Sequence, residues 1–262
     1  MKSKKTLIFL FIFFVFSLSE LYAQNTRYSM YEDEYAFKKG LWYRIDFRQK
    51  VNIPFFSEER EITRIIIDAV KADSIQPYWD DDLHQKMTKA AFFKNLKIPY
   101  AGAELTDVEK EIEGVELKEK GDDDPEYYFP KQLFFMELKE YYRFDRISSR
   151  MYHDIETATL YIPAEINPTG LDKILGCFDF NELMEKVFKG NKNAIWYNPN
   201  NNAYHLSFAD AFTQRLFSSK LVKYENPKTG LVIEMYQGKR ALQTSEQIIL
   251  KLLEFEALNY RY

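Results

Sequence analysis

QLFFMELKEYYRFDRISSRMYHDIETATLY (Gln132–Tyr161) is the stretch on which the fold turns. Its two halves, Gln132 to Phe144 and Met151 to Tyr161, are rich in aromatic and β-branched residues, which suit a pleated, half-buried surface. The polar segment Asp145–Ser149 between them carries the residues of a turn. The pattern predicts two consecutive antiparallel strands.

Upstream, Leu41 to Phe47 alternates Leu41, Tyr43, Ile45 and Phe47 with Trp42, Arg44 and Asp46, the period-2 signature of another strand. Ser57 reads as an N-cap, with Glu58 and Glu59 in the first turn and Ile62, Ile65, Ile66 and Ala69 as the apolar face of a helix ending near Ser74. Asp80–Asp82 are expected to cap a second helix carrying Leu83, Met87 and Ala90 or Ala91. Downstream, Phe180 to Phe188 suits a short helix and Asn191 to Asn202 a loop. Ser207 to Arg215 opens with the S-x-x-D arrangement of a capping box. Leu216–Tyr224 and Leu231–Tyr236 flank N-P-K-T-G, where Pro227 and Gly230 supply turn dihedrals. Thr244–Gln247 reads as a capping box before a final helix. With no regular βαβ repeat, the fold class is α+β: mixed helices and antiparallel strands, a charged linker near the middle and a C-terminal helix.

Met1 to Ala23 reads as a secretory signal, with Lys2, Lys4 and Lys5 before an apolar core from Leu7 to Leu18. That core is too short to span a bilayer, which takes about 20 residues. The expected organisation is therefore a signal peptide (1–23), an N-terminal region (24–96), a charged linker or long loop (97–130) and a C-terminal α+β region (131–262). The lone cysteine, Cys177, cannot staple the fold, and no cysteine stands where a lipid would be attached. A formal charge of −4, more acidic after cleavage, argues against nucleic acid as the main partner. Phe 22, Tyr 19 and Trp 3 give an aromatic surplus suited to a core and to partner surfaces.

No motif nominates a catalyst or a cofactor. His84, His153 and His205 form no helical ligand pair. Asp80–Asp82 and Asp122–Asp124 lack the spacing of a calcium loop. Ser148, Ser149, His153 and Asp154 are too close in sequence to converge as a triad, and glycine-rich phosphate loops are absent. The expectation is a non-enzymatic chain with no cofactor or metal.

Several blocks nevertheless resemble one family: LWYRIDFRQKVNIPF (Leu41–Phe55), LKEYYRFDRISSRM (Leu138–Met151), SFADAFTQRLFSSKLVKYEN (Ser207–Asn226) and FEALNY (Phe255–Tyr260). They are similar, collinearly, to the gliding motility protein family GldN, also called PorN. The resemblance implies a periplasmic subunit of the type IX secretion system, associated with the outer membrane through a partner. It implies self-association in a ring, pairing with an outer-membrane lipoprotein of the GldK/PorK type, and contact with a periplasm-spanning motor protein of the GldM/PorM type, with no membrane span of its own. The residues it singles out are Trp42, Arg44, Asp46, Phe144, Asp145, Arg146, Arg215, Phe217, Ser218 and Ser219. A second reading, from the aromatic surplus with Trp42, Trp79 and Trp196, is an exported carbohydrate-binding or adhesive module.

Overall fold

The computed structural model describes residues 35–99, 127–145, 150–201, 203–226, 232–234 and 239–259. The proposed signal, the linker's residues 100–126, Arg146 and the turn at 227–230 lie outside them.

The architecture is α+β. Its centre is a six-stranded antiparallel sheet built from β1 (Tyr35–Asp46), β2 (Phe135–Asp145), β3 (Arg150–Ile162), β4 (Lys173–Asp179), β7 (Lys220–Glu225) and β8 (Val232–Glu234), in the order β4-β3-β2-β1-β7-β8. A small ladder pairs β5 (Ile195–Trp196) with β6 (Leu206–Ser207). The helices are α1 (Ile62–Lys71), α2 (Lys89–Leu96), α3 (Phe180–Phe188), α4 (Phe208–Thr213) and α5 (Lys239–Asn259). The β2–β3 pair forms as Gln132–Tyr161 predicts, and the strand read at Leu41–Phe47 begins earlier, at Tyr35.

Register sorts the side chains into two faces. Tyr43 lies opposite Leu138 and Leu138 opposite Ala158, while Ile45 lies opposite Met136 and Met136 opposite Leu160. Ile45, Met136, Leu138, Ala158 and Leu160 make the floor of the main core, which α1, α2, α3, α4 and the 3-10 turn at Ile53–Phe55 cover, while Tyr43 packs against the smaller cluster beside it. α1 contributes Ile62, Ile65, Ile66 and Val70. α3 runs on from its α-helical first turn as a π-helix at Leu183–Phe188, where Lys189 N–H donates to Met184 C=O at 2.9 Å. That wider winding keeps Leu183, Met184, Val187 and Phe188 buried together. Rings of Phe55, Phe188, Phe208 and Phe212 meet at centroid distances of 5.0–5.8 Å, within the range of favourable aromatic pairs. A separate, smaller cluster (Leu41, Tyr142, Leu221, Leu252) seats α5 on the same face.

Three helix starts differ from the sequence reading. α1 begins after Glu61 rather than Ser57, because Glu59 takes a positive φ of 62° and the chain turns there first. The second helix is capped by Thr88, whose Oγ1 accepts from Ala91 N–H at 3.2 Å; Asp80 instead accepts from His84 and Gln85 N–H and closes a turn. α5 begins at Lys239, so Thr244 lies inside it and donates back to Arg240 C=O at 2.8 Å. Ser207 caps α4: its Oγ accepts from Asp210 N–H at 3.0 Å and donates to Asp210 Oδ2 at 2.7 Å. β4 was not anticipated, since LGCFD lacks alternation: its middle, Leu175–Phe178, is buried on both faces.

Candidate functional site

The family-like residues do not converge on one centre. Two clusters form, one on each face of the sheet.

On the face away from the main core, β2 aims Glu137 and Lys139 between Trp42 and Arg44 of β1. Glu137 is 2 % exposed and is fully engaged. Lys223 Nζ donates to its Oε1 at 2.8 Å, Tyr161 OH donates to the same oxygen at 3.3 Å, and Arg44 Nη2 lies 3.4 Å from Oε2. Arg44 Nη1 reaches Asp172 Oδ2 at 2.6 Å, and Asp172 Oδ1 accepts from Ala164 N–H, so the β3–β4 connection is tied to β1. The guanidinium also lies over the rings of Phe135 and Tyr161. Burial works against the Arg44 charge, but Glu137 and Asp172 outweigh it and hold its pKa above the ordinary value. Burial, with Glu137 beside it, pushes the Tyr161 phenol strongly up.

The Asp80–Asp82 triplet folds over this face as a strap. Trp42 Nε1 donates to Asp81 Oδ2 at 2.5 Å and Lys139 Nζ to Asp82 Oδ1 at 2.5 Å. The strap starts from the sheet edge, where Tyr78 and Cys177 exchange backbone hydrogen bonds at 2.8 and 2.9 Å. Asp46 binds Arg48, which also reaches Glu165 and stacks 3.6 Å from the Phe134 ring centroid.

On the core face, Arg215 sits at the end of α4 with a φ of 53°, a conformation that normally favours glycine. The backbone there closes a Schellman-type turn, Leu216 N–H donating to Ala211 C=O at 2.9 Å. The turn points the guanidinium at the buried Glu140, whose two oxygens accept from Arg215 Nη2 at 2.8 and 3.1 Å. His153 Nδ1 lies 3.8 Å from the same carboxylate. Burial would raise the Glu140 pKa, but His153 and Arg215 win and hold it below the ordinary carboxylate value. Burial and the Glu140 charge push Tyr43 up to about 12. Three residues on from Arg215, Ser218 clamps Asn52: its N–H donates to Asn52 Oδ1 and its C=O accepts from Asn52 Nδ2, both at 2.8 Å. Phe217 packs 5.5 Å from Phe212. Ser219 is half-buried between this clamp and β7. Phe144, on β2, meets Phe255 of α5 at 6.2 Å, and Asp145 ends that strand, buried.

These are ionic and packing joints between strands, loops and helix ends. Among the described residues, no group of three or more His, Cys, Asp or Glu could hold a metal ion. Cys177, whose pKa burial pushes up to about 12, is a protonated core thiol that accepts from Thr159 Oγ1. Trp42 and Trp196 are buried while Trp79 is 44 % exposed, so the three tryptophans make no shared sugar platform. Sequence reading missed Glu137, Glu140, Asp172 and Asn52. The run MELKE contained a signal for the first two, since alternation puts Glu137 and Lys139 on one face and Glu140 on the other. Nothing local marks Asp172 or Asn52 as partners of Arg44 and Ser218.

No helix among the described residues is long and apolar enough to cross a membrane. No curated protein matches the sequence. The family model described as gliding motility associated protein GldN matches residues 30–260, a span that includes every strand and helix described above. The chain therefore belongs to the GldN family.

Proposed function

We propose that this GldN-family chain, a gliding motility and type IX secretion component, is a non-enzymatic structural subunit of the periplasm. It assembles into a ring with an outer-membrane lipoprotein of the GldK/PorK type and touches a motor protein of the GldM/PorM type. The observation that carries the reading is the family match across residues 30–260. The signal-like N-terminus supports export.

The surface supports assembly. A ring requires two different patches on each copy, meeting head to tail. Exposed apolar residues occur near both sides of the sheet: Leu171 and Ile174 at β4, and Leu250, Leu253 and Leu258 on α5, which rests on β7. β4 and β7 are four strand spacings apart, roughly 19 Å at about 4.8 Å per spacing. Internal ion pairing of Arg44, Glu137, Glu140 and Arg215 stiffens the block between the two patches.

The test is affinity purification of the tagged mature chain from its native envelope, with mass spectrometry and negative-stain imaging. Recovery of a lipoprotein partner and ring-shaped particles is the expected result. A protein that stays monomeric with every envelope partner would sink the reading.

A further inference from the structure

Between α5 and β1 lies a cavity of about 210 Å³ lined by Phe37, Ile248, Leu252 and Phe255 together with Lys39 and Lys251. The lining is apolar except for the two lysines. Neither has a carboxylate within ion-pairing distance among the described residues, whereas the buried Lys139 and the half-buried Lys223 each hold one. Lys39 Nζ lies 5.0 Å from the centroid of the Tyr224 ring. Burial and the neighbouring Lys251 charge both lower the Lys39 pKa. An anion placed between the two ammonium groups relieves that repulsion and makes two charge-assisted contacts.

The size of the space limits the occupant. It lies below the roughly 300 Å³ at which ligand pockets for drug-sized molecules begin. A single hydrocarbon chain suits a space of this volume, and its burial against four apolar side chains is favourable. We propose that this cavity binds a single-chain amphiphile with an anionic head, a fatty-acid carboxylate being the simplest, with the chain among Phe37, Ile248, Leu252 and Phe255 and the head between Lys39 and Lys251. The site is independent of the secretion reading, and neither depends on the other's success.

The test is calorimetric titration of the chain from Gln24 onward with dodecanoate below its micellar concentration, and with dodecyltrimethylammonium as a cation of equal chain length. Dodecanoate binds and the cation does not. Lys39→Gln/Lys251→Gln weakens dodecanoate binding about tenfold or more, with an unchanged circular dichroism spectrum. Absence of dodecanoate binding, equal binding of the cation, or full affinity in a folded double variant overturns the proposal. If the double variant does not fold, the comparison of anion with cation on the native chain still decides.

Discussion

Arg215 occupies a backbone conformation that costs an L-residue roughly 1–2 kcal/mol, and it does so to reach Glu140. Arg215→Gly removes that strain yet leaves a buried carboxylate with only His153 beside it. Breaking a fully buried pair costs about 3–5 kcal/mol, and the part-exposed guanidinium of Arg215 reduces that, so a net loss of about 1 kcal/mol is expected in urea denaturation. Glu140→Gln in the same background restores most of it. If Arg215→Gly alone proves stabilising, the pair contributes nothing. The same carboxylate sets the acid limit. Its folded pKa lies below 4.5, so its contribution is present at neutral pH and is lost as pH falls below about 4.5 through the folded value. Tyr43 contributes to an alkaline limit of opposite sense, together with Cys177 and Tyr161: its folded pKa of about 12 exceeds the ordinary 10, so its contribution is complete below pH 10 and is lost as pH rises through 12. Thermal melts against pH should fall at both ends. Glu140→Gln makes the acid limb shallower and Tyr43→Phe the alkaline one, the remaining slopes belonging to Asp82 at the acid end and to Cys177 and Tyr161 at the alkaline end.

At the level of elements, α2 depends on a missing side chain in β4. A Cβ on Gly176 would meet the Phe92 ring at 3.1 Å, and Phe92 is the fully buried anchor of α2. Gly176→Ala should therefore cost about 1–2 kcal/mol by overpacking, with faster amide exchange in α2. Exchange unchanged in α2 would mean that Phe92 gives way without moving its helix. The strap at Asp80–Asp82 ties Trp42 of β1 and Lys139 of β2 to the segment leading into α2, so β1, β2 and α2 share one set of contacts.

For the whole molecule, the head-to-tail reading makes a prediction that a face-to-face dimer does not share. Leu250→Asp/Leu253→Asp and Leu171→Asp/Ile174→Asp each spoil one patch while leaving the core untouched. Each variant alone should fail to form large particles. Mixed, the two should give discrete small complexes through the one pair of intact patches, measured by light scattering. Rings from either variant alone would remove these residues from the interface.

Strand and helix identities were largely legible in the sequence, because alternation at Leu41–Phe47 and Gln132–Tyr161 and the 3-and-4 spacing in Ile62–Ala69 are local consequences of which side faces the core. Family membership was legible for the same reason: collinear blocks such as Ser207–Asn226 keep their order whatever the fold does with them. Helix starts were misread where candidate caps outnumber helices, as at Ser57, Asp80 and Thr244, since a capping side chain works only if the backbone before it is already turning. Tertiary structure alone decided that β1 lies at the centre between β2 and β7, that Arg44 finds Asp172 across 128 residues, and that Arg215 finds Glu140 across 75. Such partners are chosen by strand order and register, which depend on the chain as a whole.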